Sequence, residues 1–424
     1  MSTIAFHTLG CKVNQYDTEA MRESFERAGW TAVDFEDEAD AYLVNTCTVT
    51  GTGDQKSKKL IRRVAREHPA CSIIVAGCLA QREAEELLQM DNVALVIGVQ
   101  RRAEVVELLG RAMREGPVNA VAPLKGASFE HLFVTRHEGR TRATMKIQEG
   151  CDRYCAYCII PSVRGPVRSM PLADVRAEAR RLAEAGYPEI VLTGIHLASY
   201  GRGTGDTLLD AIGAVAGAVP RVRLGSLEPL VVTEDFARGV AEMGRVMPQF
   251  HLSMQSGSAG VLERMRRRYT PEAYMRSVEC LRKFLPGCAI TTDVLTGFPG
   301  ETDKEAQETL DFVRAVGFAR IHVFPYSRRK GTVADQMPGQ VPEAVKRERA
   351  AKLLALGNQM EEEYVSKLVG TAQDVLFETA VSPSQAEGYT GQYVRVRAAA
   401  RPGEIHRVRL LGREGMLALG EVEH

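Results

Sequence analysis

The sequence predicts an α/β fold in three parts: an N-terminal parallel-sheet βαβ domain, a central partial (β/α) barrel and a small C-terminal all-β barrel. Short β-branched runs alternate with helical stretches through residues 1–114, and the same alternation returns from about residue 140 to residue 335. Such alternation is typical of βαβ units around a parallel sheet. The last block, residues 370–424, has only short β-type runs broken by glycine and proline, which indicates a small barrel.

The composition is that of a globular protein. With 424 residues, 45% hydrophobic and 25% charged, the chain is long enough for two or three domains. Its 54 basic side chains balance its 54 acidic ones, so the net charge neither indicates nor excludes a nucleic-acid partner. The start, MSTIAFHTLG, has no signal-peptide pattern, and no apolar run is long enough to span a bilayer, which predicts a cytoplasmic protein with no membrane partner.

In the N-terminal block, four β-type runs each precede a helical segment. The runs are IAFHTLG, AYLVNTC, SIIVAGC and ALVIG, and they define a first domain of residues 1–114. Residues 115–137 contain Pro117, Pro123 and Gly126 and have no clear period, which predicts a linker.

Six candidate strands with helices between them occupy the centre of the chain: ATMKIQ, EIVLTG, RVRLGS, QFHLSMQ, AITTDVLTG and ARIHVFPYS. A closed (β/α) barrel has eight strands, so six predict an open sheet or an incomplete barrel. A long helical stretch at 343–368 ends this second domain, which is predicted to cover residues 138–368, and the third domain covers residues 370–424.

The most informative local feature is the cysteine spacing in EGCDRYCAYCIIP. Cys151, Cys155 and Cys158 offer three soft thiolates, which suit three irons of a four-iron cluster and leave one iron without a protein ligand. A zinc knuckle and ordinary core thiols are the alternatives. A structural zinc site needs four ligands, however, and the nearest upstream histidine is His137.

A second set of three cysteines is visible only after the strands are placed. Cys11, Cys47 and Cys78 each end a predicted strand of the N-terminal sheet. The carboxyl ends of parallel strands meet at one edge, where ligands bind, so the three thiols are expected to lie together. Each could also be a buried small side chain. The other cysteines, Cys71, Cys280 and Cys288, match no ligand pattern and are predicted to be core thiols.

These motifs carry a family resemblance. The C-x3-C-x2-C spacing and Tyr157 resemble the radical S-adenosylmethionine (SAM) enzymes, and TLGCKVNQYDTEAM, NTCTVT and GCLAQ resemble the three cysteine motifs of the methylthiotransferase N-terminal domain. The C-terminal block is similar to the small RNA-binding barrel called TRAM. The order of the parts matches over essentially the whole chain, which is therefore identified as a member of the radical SAM methylthiotransferase family.

The resemblance implies two [4Fe–4S] clusters and S-adenosyl-L-methionine as cofactors. In the family, the cluster on the residues that match Cys151, Cys155 and Cys158 cleaves SAM to a 5′-deoxyadenosyl radical, and the cluster on those that match Cys11, Cys47 and Cys78 holds the sulfur to be inserted. A second SAM methylates that sulfur. An electron donor and a sulfur donor are implied as partners, and the chain is expected to be a monomer.

The substrate branch is indicated by KVNQ directly after Cys11. It is similar to the branch that acts on C2 of N6-threonylcarbamoyladenosine 37 in tRNA, whereas the isopentenyladenosine branch typically has GCQMN and the ribosomal-protein branch GCPKN. The resemblance implies a tRNA (N6-L-threonylcarbamoyladenosine-C2)-methylthiotransferase whose partner is a tRNA anticodon stem-loop. Isopentenyladenosine or a ribosomal protein stays open as substrate. So does a non-catalytic Fe–S RNA-binding or electron-transfer protein, which would have no reason for an open iron beside a SAM-like pocket.

Three further residues are candidate SAM-binding groups, and no catalytic residue is predicted. Tyr157 matches an aromatic side chain that contacts SAM in the family. Glu228 in GSLEP and Gln255 in HLSMQS end core strands at the edge where SAM is expected. Each could equally have a structural role. No chemistry is assigned to His196.

The prediction of an RNA-binding face is mixed, because residues 371–424 contain six arginines and no lysine against seven acidic residues. Arg395 and Arg397 are two residues apart, as are Arg407 and Arg409, so on strands each pair would project from one face. The two pairs could form one strip for phosphates or a merely solvated face. Two further basic clusters could embrace a stem-loop: Lys56, Lys58, Lys59, Arg62 and Arg63, and Arg266, Arg267 and Arg268.

Overall fold

The N-terminal part of the computed structural model, which describes residues 2–423, is a parallel sheet of six strands in the order β2-β1-β3-β4-β5-β6. Residues 1 and 424, the outer ends of the predicted first and third domains, lie outside the described range. The strands are β1 (Thr3–Thr8), β2 (Thr31–Val33), β3 (Ala41–Thr46), β4 (Ser72–Gly77), β5 (Val93–Ile97) and β6 (Val118–Asn119). The helices are α1 (Lys12–Arg27), α2 (Gly51–Glu67), α3 (Cys78–Leu88) and α4 (Val105–Glu115).

The sheet is buried on both faces, as the continuous apolar runs of its strands require. Leu43 and Ile74 pack in one core, and Val44 and Ile73, their neighbours along β3 and β4, pack in the other. The loops that leave the carboxyl ends of these strands therefore start from a rigid, fully covered platform.

The segment predicted as a linker, residues 115–137, is a packed part of the fold. Its strand β6 pairs with β5, and its side chains Leu132 and Val134 are buried against Tyr16 and Ala20 of α1. A two-residue strand and a few anchoring side chains leave no periodic pattern, which is why the sequence did not show them.

The central part is the predicted partial barrel. Its strands are β7 (Arg142–Glu149), β8 (Arg168–Ser169), β9 (Glu189–Gly194), β10 (Arg221–Leu224), β11 (Gln249–His251), β12 (Ala289–Thr296) and β13 (Arg320–Pro325). Six of them are parallel neighbours in the order β7-β9-β10 and β11-β12-β13, and parallel bridges such as Leu227 to Leu252 join the two groups. The short β8 runs antiparallel to β7.

Helices cover the outer face of this partial barrel. The short α5 (Ile160–Arg164) packs instead on α3, and the covering helices are α6 (Leu172–Glu184), α7 (Leu208–Ala216), α8 (Glu234–Met243), α9 (Ala259–Arg264), α10 (Pro271–Phe284) and α11 (Asp303–Val316). Ala143, Met145 and Ile147 of β7 pack in the large core beneath them. The alternate residues Thr144, Lys146 and Gln148 therefore face the inside of the barrel.

The predicted helix at 343–368 is α12 (Glu343–Leu368), which packs on β13 and leads into the last part of the chain. Gly357 permits the close approach, because a Cβ there would come within 2.6 Å of Ile321 Cγ1. Among residues 2–423 no helix combines the length and the apolarity needed to cross a bilayer.

The C-terminal part is a closed barrel of five strands in the order β14-β15-β16-β18-β17. The strands are β14 (Ala372–Ser382), β15 (Gln385–Thr390), β16 (Arg395–Ala398), β17 (Ile405–Glu414) and β18 (Leu417–Val422). All neighbours are antiparallel except β16 and β18. Val375, Phe377 and Val408 lie in its core.

Buried charges attach the barrel to the amino ends of the core strands. Glu189 forms ion pairs with Arg221 and Arg223 at 2.8 Å each. The same guanidinium groups donate to main-chain carbonyls of the barrel, Arg221 to Asp374 at 3.2 Å and Arg223 to Gly391 at 3.0 Å. The barrel therefore lies at the end of the core opposite to the loop that follows β7.

Candidate active site

Cys11, Cys47 and Cys78 follow the carboxyl ends of β1, β3 and β4, which are neighbours in the sheet. Strand order reverses at β1, and ligands of open α/β sheets bind in the crevice at such a point. The loops of Cys11 and Cys47 touch: Gly10 has φ +106°, and a Cβ there would come within 3.1 Å of Cys47 Sγ. All three cysteines are free thiols. We call them the N-terminal triad.

The buried side chain of Arg164 lies against this triad. Its Nε donates a hydrogen bond to Cys78 Sγ at 3.1 Å. Burial raises the pKa of the Cys78 thiol to about 11; the positive charge of Arg164 opposes this rise, and Cys11 and Cys47 add to it. The three sulfurs thus share one electrostatic neighbourhood, and the structure brings the three cysteines together.

Cys151, Cys155 and Cys158, which we call the core triad, occupy the loop between β7 and α5. The loop is tight at its start, where Gly150 has φ +74° and a Cβ would come within 1.8 Å of the Pro166 carbonyl oxygen. Within the loop the Cys158 amide donates to the Cys155 carbonyl at 2.9 Å. Burial raises the pKa of the Cys158 thiol to about 12, and Cys155 and Cys151 add to the rise.

An arginine also lies on the core triad. Arg267 Nη1 donates to Cys155 Sγ at 3.3 Å, and its Nε donates to the Tyr269 hydroxyl at 3.0 Å. Assigning Arg267 to a basic RNA-facing cluster was therefore wrong. Its neighbours Arg266 and Arg268 are exposed.

The three candidate SAM-binding residues lie around the core triad. The Tyr157 ring meets the buried ring of Phe298 edge-on, with centroids 6.5 Å apart. Glu228 is buried and forms an ion pair at 2.6 Å with Arg153, which lies two residues after Cys151. Gln255 has φ +68°, and its main chain bonds to β12.

The carboxylate of Glu228 is ionised at neutral pH. Burial alone would raise its pKa, but His196 and then Arg153 favour the charged form and lower the pKa to about 2. His196 Nε2 lies 3.4 Å from the carboxylate. His196, to which no chemistry was assigned, therefore lies beside Glu228. Only its nearness to GSLEP in space, which the sequence does not show, reveals this.

A buried ionic network joins the two triads. Asp17 of α1 pairs with Arg102, with Lys146 of β7 and with Arg164 of α5. Glu149, the last residue of β7, is 3.1 Å from Arg164 Nη1. These side chains are all at most 2% exposed. The network fixes the N-terminal sheet to the core at the base of both cysteine loops.

Asp17 gives this network a measurable pH dependence. Burial would raise its pKa, but Arg102, Lys146 and Arg164 hold the pKa below its ordinary value. Because the folded pKa is lower than the unfolded one of about 3.9, the carboxylate stabilises the fold above that pH and its contribution is lost as the pH falls.

Replacement of Asp17 by Asn should therefore lower the free energy of unfolding near neutral pH by about 3–5 kcal/mol, because it leaves buried positive charge uncompensated. Denaturant unfolding of the metal-free protein from pH 7 to pH 3 measures this, and the difference from the parent should shrink at the acid end. As a matched control, Glu36→Gln removes one partner of an exposed ion pair with Arg63 and should change stability by at most about 1 kcal/mol. A pH-independent deficit in Asp17→Asn would contradict the assignment.

Lys12 stands between the N-terminal triad and the inside of the barrel. It follows Cys11 and opens α1, which packs on β7 and β9. Its side chain is solvent-accessible. Desolvation, followed by the positive charges of Arg142 and Arg223, nevertheless lowers its pKa to about 8.

The predicted basic surfaces are partly neutralised. On α2, Lys58 pairs with Glu83 at 2.8 Å and Arg63 with Glu36 at 2.9 Å, whereas Lys56, Lys59 and Arg62 are exposed.

On the barrel, each arginine pair does project outward, and β18 lies between the strands β16 and β17 that carry the two pairs. The pairs are about 10 Å apart at ordinary strand spacing. They have acidic partners: Arg397 pairs with Glu387 and Arg409 with Glu423, both at 2.7 Å.

The donor set of each triad fits an iron–sulfur cluster. The core triad has its three thiols in one loop, and the N-terminal triad has them at one sheet edge. In each triad an arginine N–H donates a hydrogen bond to one sulfur. Across residues 2–423 no three His, Cys, Asp or Glu side chains are arranged to hold a single metal ion. A four-iron cluster is a larger group, and its thiolates stand farther apart.

Two family models match the chain. The radical SAM superfamily model matches residues 145–313, and the model described as Uncharacterized protein family UPF0004 matches residues 3–98. The partial barrel with its cysteine loop thus defines a radical SAM protein, in which an iron–sulfur cluster and SAM are the expected cofactors.

Relatives along the whole chain give the particular family. MtaB of Bacillus subtilis (strain 168), a threonylcarbamoyladenosine tRNA methylthiotransferase, is 42% identical over 93% of this chain and 90% of its own length. MtaB of Thermotoga maritima is 36% identical over 99% and 97%. A tRNA-2-methylthio-N(6)-dimethylallyladenosine synthase of Acidothermus cellulolyticus is 36% identical over 95% and 84%. This chain belongs to the radical SAM methylthiotransferase family, as the cysteine motifs predicted, and shares 42% identity with an MtaB.

Solved structures confirm the predicted fold class. The radical SAM methyltransferase TsrM from Kitasatospora setae, with cobalamin and a [4Fe-4S] cluster bound, superposes with a TM-score of 0.58 at 16% identity, over 91% of this chain and 77% of that one. The cobalamin-dependent SAM radical enzyme OxsB gives a TM-score of 0.55 at 12% identity, over 87% and 56%. At these identities the likeness concerns the fold alone.

Proposed function

We propose that this chain inserts a methylthio group at C2 of N6-threonylcarbamoyladenosine 37 in tRNA, with two [4Fe–4S] clusters. The observation that carries the proposal is the presence of two separate thiol triads, joined at their bases by one buried network, in a chain similar to MtaB over its whole length. An unactivated C–H bond requires a cofactor-derived radical, and sulfur insertion requires a second site that holds sulfur.

The core triad would hold one cluster and the N-terminal triad the other. When bound, the first supplies the electron for reductive cleavage of SAM and the second supplies sulfur. Glu228, kept anionic by His196 and Arg153, would accept hydrogen bonds from SAM. Tyr157 would pack against SAM, and Gln255, held at a strand end by β12, would bind its polar groups. The buried network keeps water from the base of both loops.

The choice of substrate is supported by Lys12. The threonylcarbamoyl group carries a carboxylate, which the ammonium group of the exposed Lys12 would bind beside Cys11, whereas an isopentenyl group is uncharged. Two exposed aromatic side chains lie near the triads: Tyr154, 64% exposed between Cys151 and Cys155, and Phe324, 52% exposed at the end of β13. Such rings would stack on an unpaired base.

We further propose three functional units: residues 1–114 for sulfur, residues 138–368 for SAM cleavage and residues 370–424 for RNA. An electron donor and a sulfur donor would act on a monomer. The free thiols of both triads require a reducing compartment, which supports the cytoplasm.

Mass spectrometry of tRNA nucleosides from cells with and without the gene tests the proposed function. We expect 2-methylthio-N6-threonylcarbamoyladenosine to disappear in its absence and to return with the cloned gene. Loss of only the methylthiolated isopentenyladenosine, or of a modified ribosomal protein residue, would assign the chain to another branch.

The RNA face is tested by replacing Arg395, Arg397, Arg407 and Arg409 together with Ala. Their surface ion pairs are worth at most about 1 kcal/mol each, so the arginines can exchange carboxylates for phosphates. tRNA binding should weaken, and the slope of log K against log salt should fall by roughly one per lost phosphate contact. Filter binding across a salt series measures both.

A matched control replaces Arg111 and Arg238, exposed arginines elsewhere on the surface, and should leave the slope unchanged. SAM cleavage without tRNA should survive in the four-Arg variant, because β7, 8 residues or about 25 Å long, separates the barrel from the core triad. Unchanged tRNA affinity in that variant would show that RNA binds elsewhere.

A further inference from the structure

Each thiol triad has one arginine whose N–H points at one sulfur. Arg164 Nε is 3.1 Å from Cys78 Sγ, and Arg267 Nη1 is 3.3 Å from Cys155 Sγ. The two arginines come from different elements, α5 and the segment after α9. The same pairing therefore arises twice, independently, at two sites of the same donor chemistry.

Arg164 is held on every side by buried partners. It is fully buried, and its remaining N–H groups bond to Asn14, Asp17 and Glu149. It ends α5, which begins two residues after Cys158. Ile159 and Val163 pack on Cys78, so this short helix physically links the loops of the two triads.

We propose that Arg164 is a positioning residue that raises the reduction potential of the cluster on the N-terminal triad, and that Arg267 does the same for the core triad. The inference rests on the proposed function in that it assumes a [4Fe–4S] cluster on each triad. Reduction adds negative charge that is shared by the ligand sulfurs. A donated N–H and a nearby positive charge stabilise the reduced form more than the oxidised one, and both effects are stronger in a dry interior.

Arg164→Lys tests the proposal without removing the buried positive charge. A lysine ammonium is a compact point charge, so it can stay with Asp17 and Glu149 but cannot also keep the N–H on Cys78 in the fork geometry of the guanidinium. In a background with Cys151, Cys155 and Cys158 replaced by Ala, only the N-terminal cluster remains. There, Arg164→Lys should keep the iron and lower the midpoint potential by at least 59 mV, a tenfold change in the one-electron reduction equilibrium.

Arg267→Lys is the matched control. Which of the two arginine variants lowers the midpoint potential should depend on which triad is left in the protein. With the core triad removed, Arg267→Lys should leave the remaining midpoint potential unchanged. With Cys11, Cys47 and Cys78 removed instead, Arg267→Lys should lower the potential and Arg164→Lys should not. Equal shifts from both variants in one background, or none from either, would overturn the proposal.

A second measurement does not depend on the folding of any arginine variant. In full-length protein labelled with 15N-arginine and lacking the core triad, electron–nuclear double resonance of the reduced cluster should show coupling to a guanidinium nitrogen. The absence of this coupling would contradict the role proposed for Arg164, even if the Arg164→Lys variant fails to load iron. Failure of either triad to bind iron in the parent protein would instead refute the proposed function.

Discussion

A variant with Cys151, Cys155 and Cys158 replaced by alanine should lose reductive SAM cleavage completely and about half of its iron. These three thiols are the cysteines of the loop between β7 and α5, and the loop is fixed by the Gly150 turn. If each triad holds four irons, anaerobic reconstitution should give about eight irons in the parent chain and about four in the variant. Iron analysis and chromatography of 5′-deoxyadenosine measure the two losses.

Cys280→Ala provides the matched control for this variant. Cys280 is a free, half-buried thiol on α10 and packs at the edge of the large core. Its removal should change neither iron content nor SAM cleavage. Retention of all iron in the triple variant, or zinc in place of iron in the parent, would show that the core triad holds no Fe–S cluster.

The sequence was sufficient for the fold wherever a periodic pattern was long. The six core strands and α12 lie where alternation predicted them, because buried parallel strands and long helices need continuous apolar patterns. The chain between 115 and 137 was missed because its structure consists of β6 and isolated anchors such as Leu132. Contacts between distant segments fix such residues, and no local pattern records them.

For the site, the positions of the cysteines followed from strand ends, whereas their partners did not. Arg164 stands in PSVRGP without any signal that it reaches Cys78, which is 86 residues earlier in the chain. Arg267 sits in a basic run, MRRRY, that looks like a surface cluster. Only the packing of Tyr269 and the core triad around it shows that the middle arginine turns inward.

A variant with Cys11, Cys47 and Cys78 replaced by alanine should separate the two halves of the chemistry. These thiols follow the carboxyl ends of β1, β3 and β4 in the N-terminal domain, whereas the proposed SAM-binding residues Glu228 and Gln255 lie on the core. Arg164 would lose its hydrogen bond to Cys78 but keep its bonds to Asp17 and Glu149. The buried network that fixes the loop of the core triad should therefore persist. We therefore expect SAM cleavage to 5′-deoxyadenosine to continue and methylthio transfer to stop.

The measurement follows both products in one reaction with tRNA that carries N6-threonylcarbamoyladenosine. The parent protein should yield 5′-deoxyadenosine together with the methylthiolated nucleoside, and the N-terminal variant only 5′-deoxyadenosine. Cys71→Ala, which removes the buried thiol at the opposite end of β4, is the control and should yield both. If the N-terminal variant still forms methylthiolated product, sulfur must be delivered from another place. If it cleaves no SAM, the two triads do not have separable roles, because the core triad would then depend on the N-terminal one for its own chemistry.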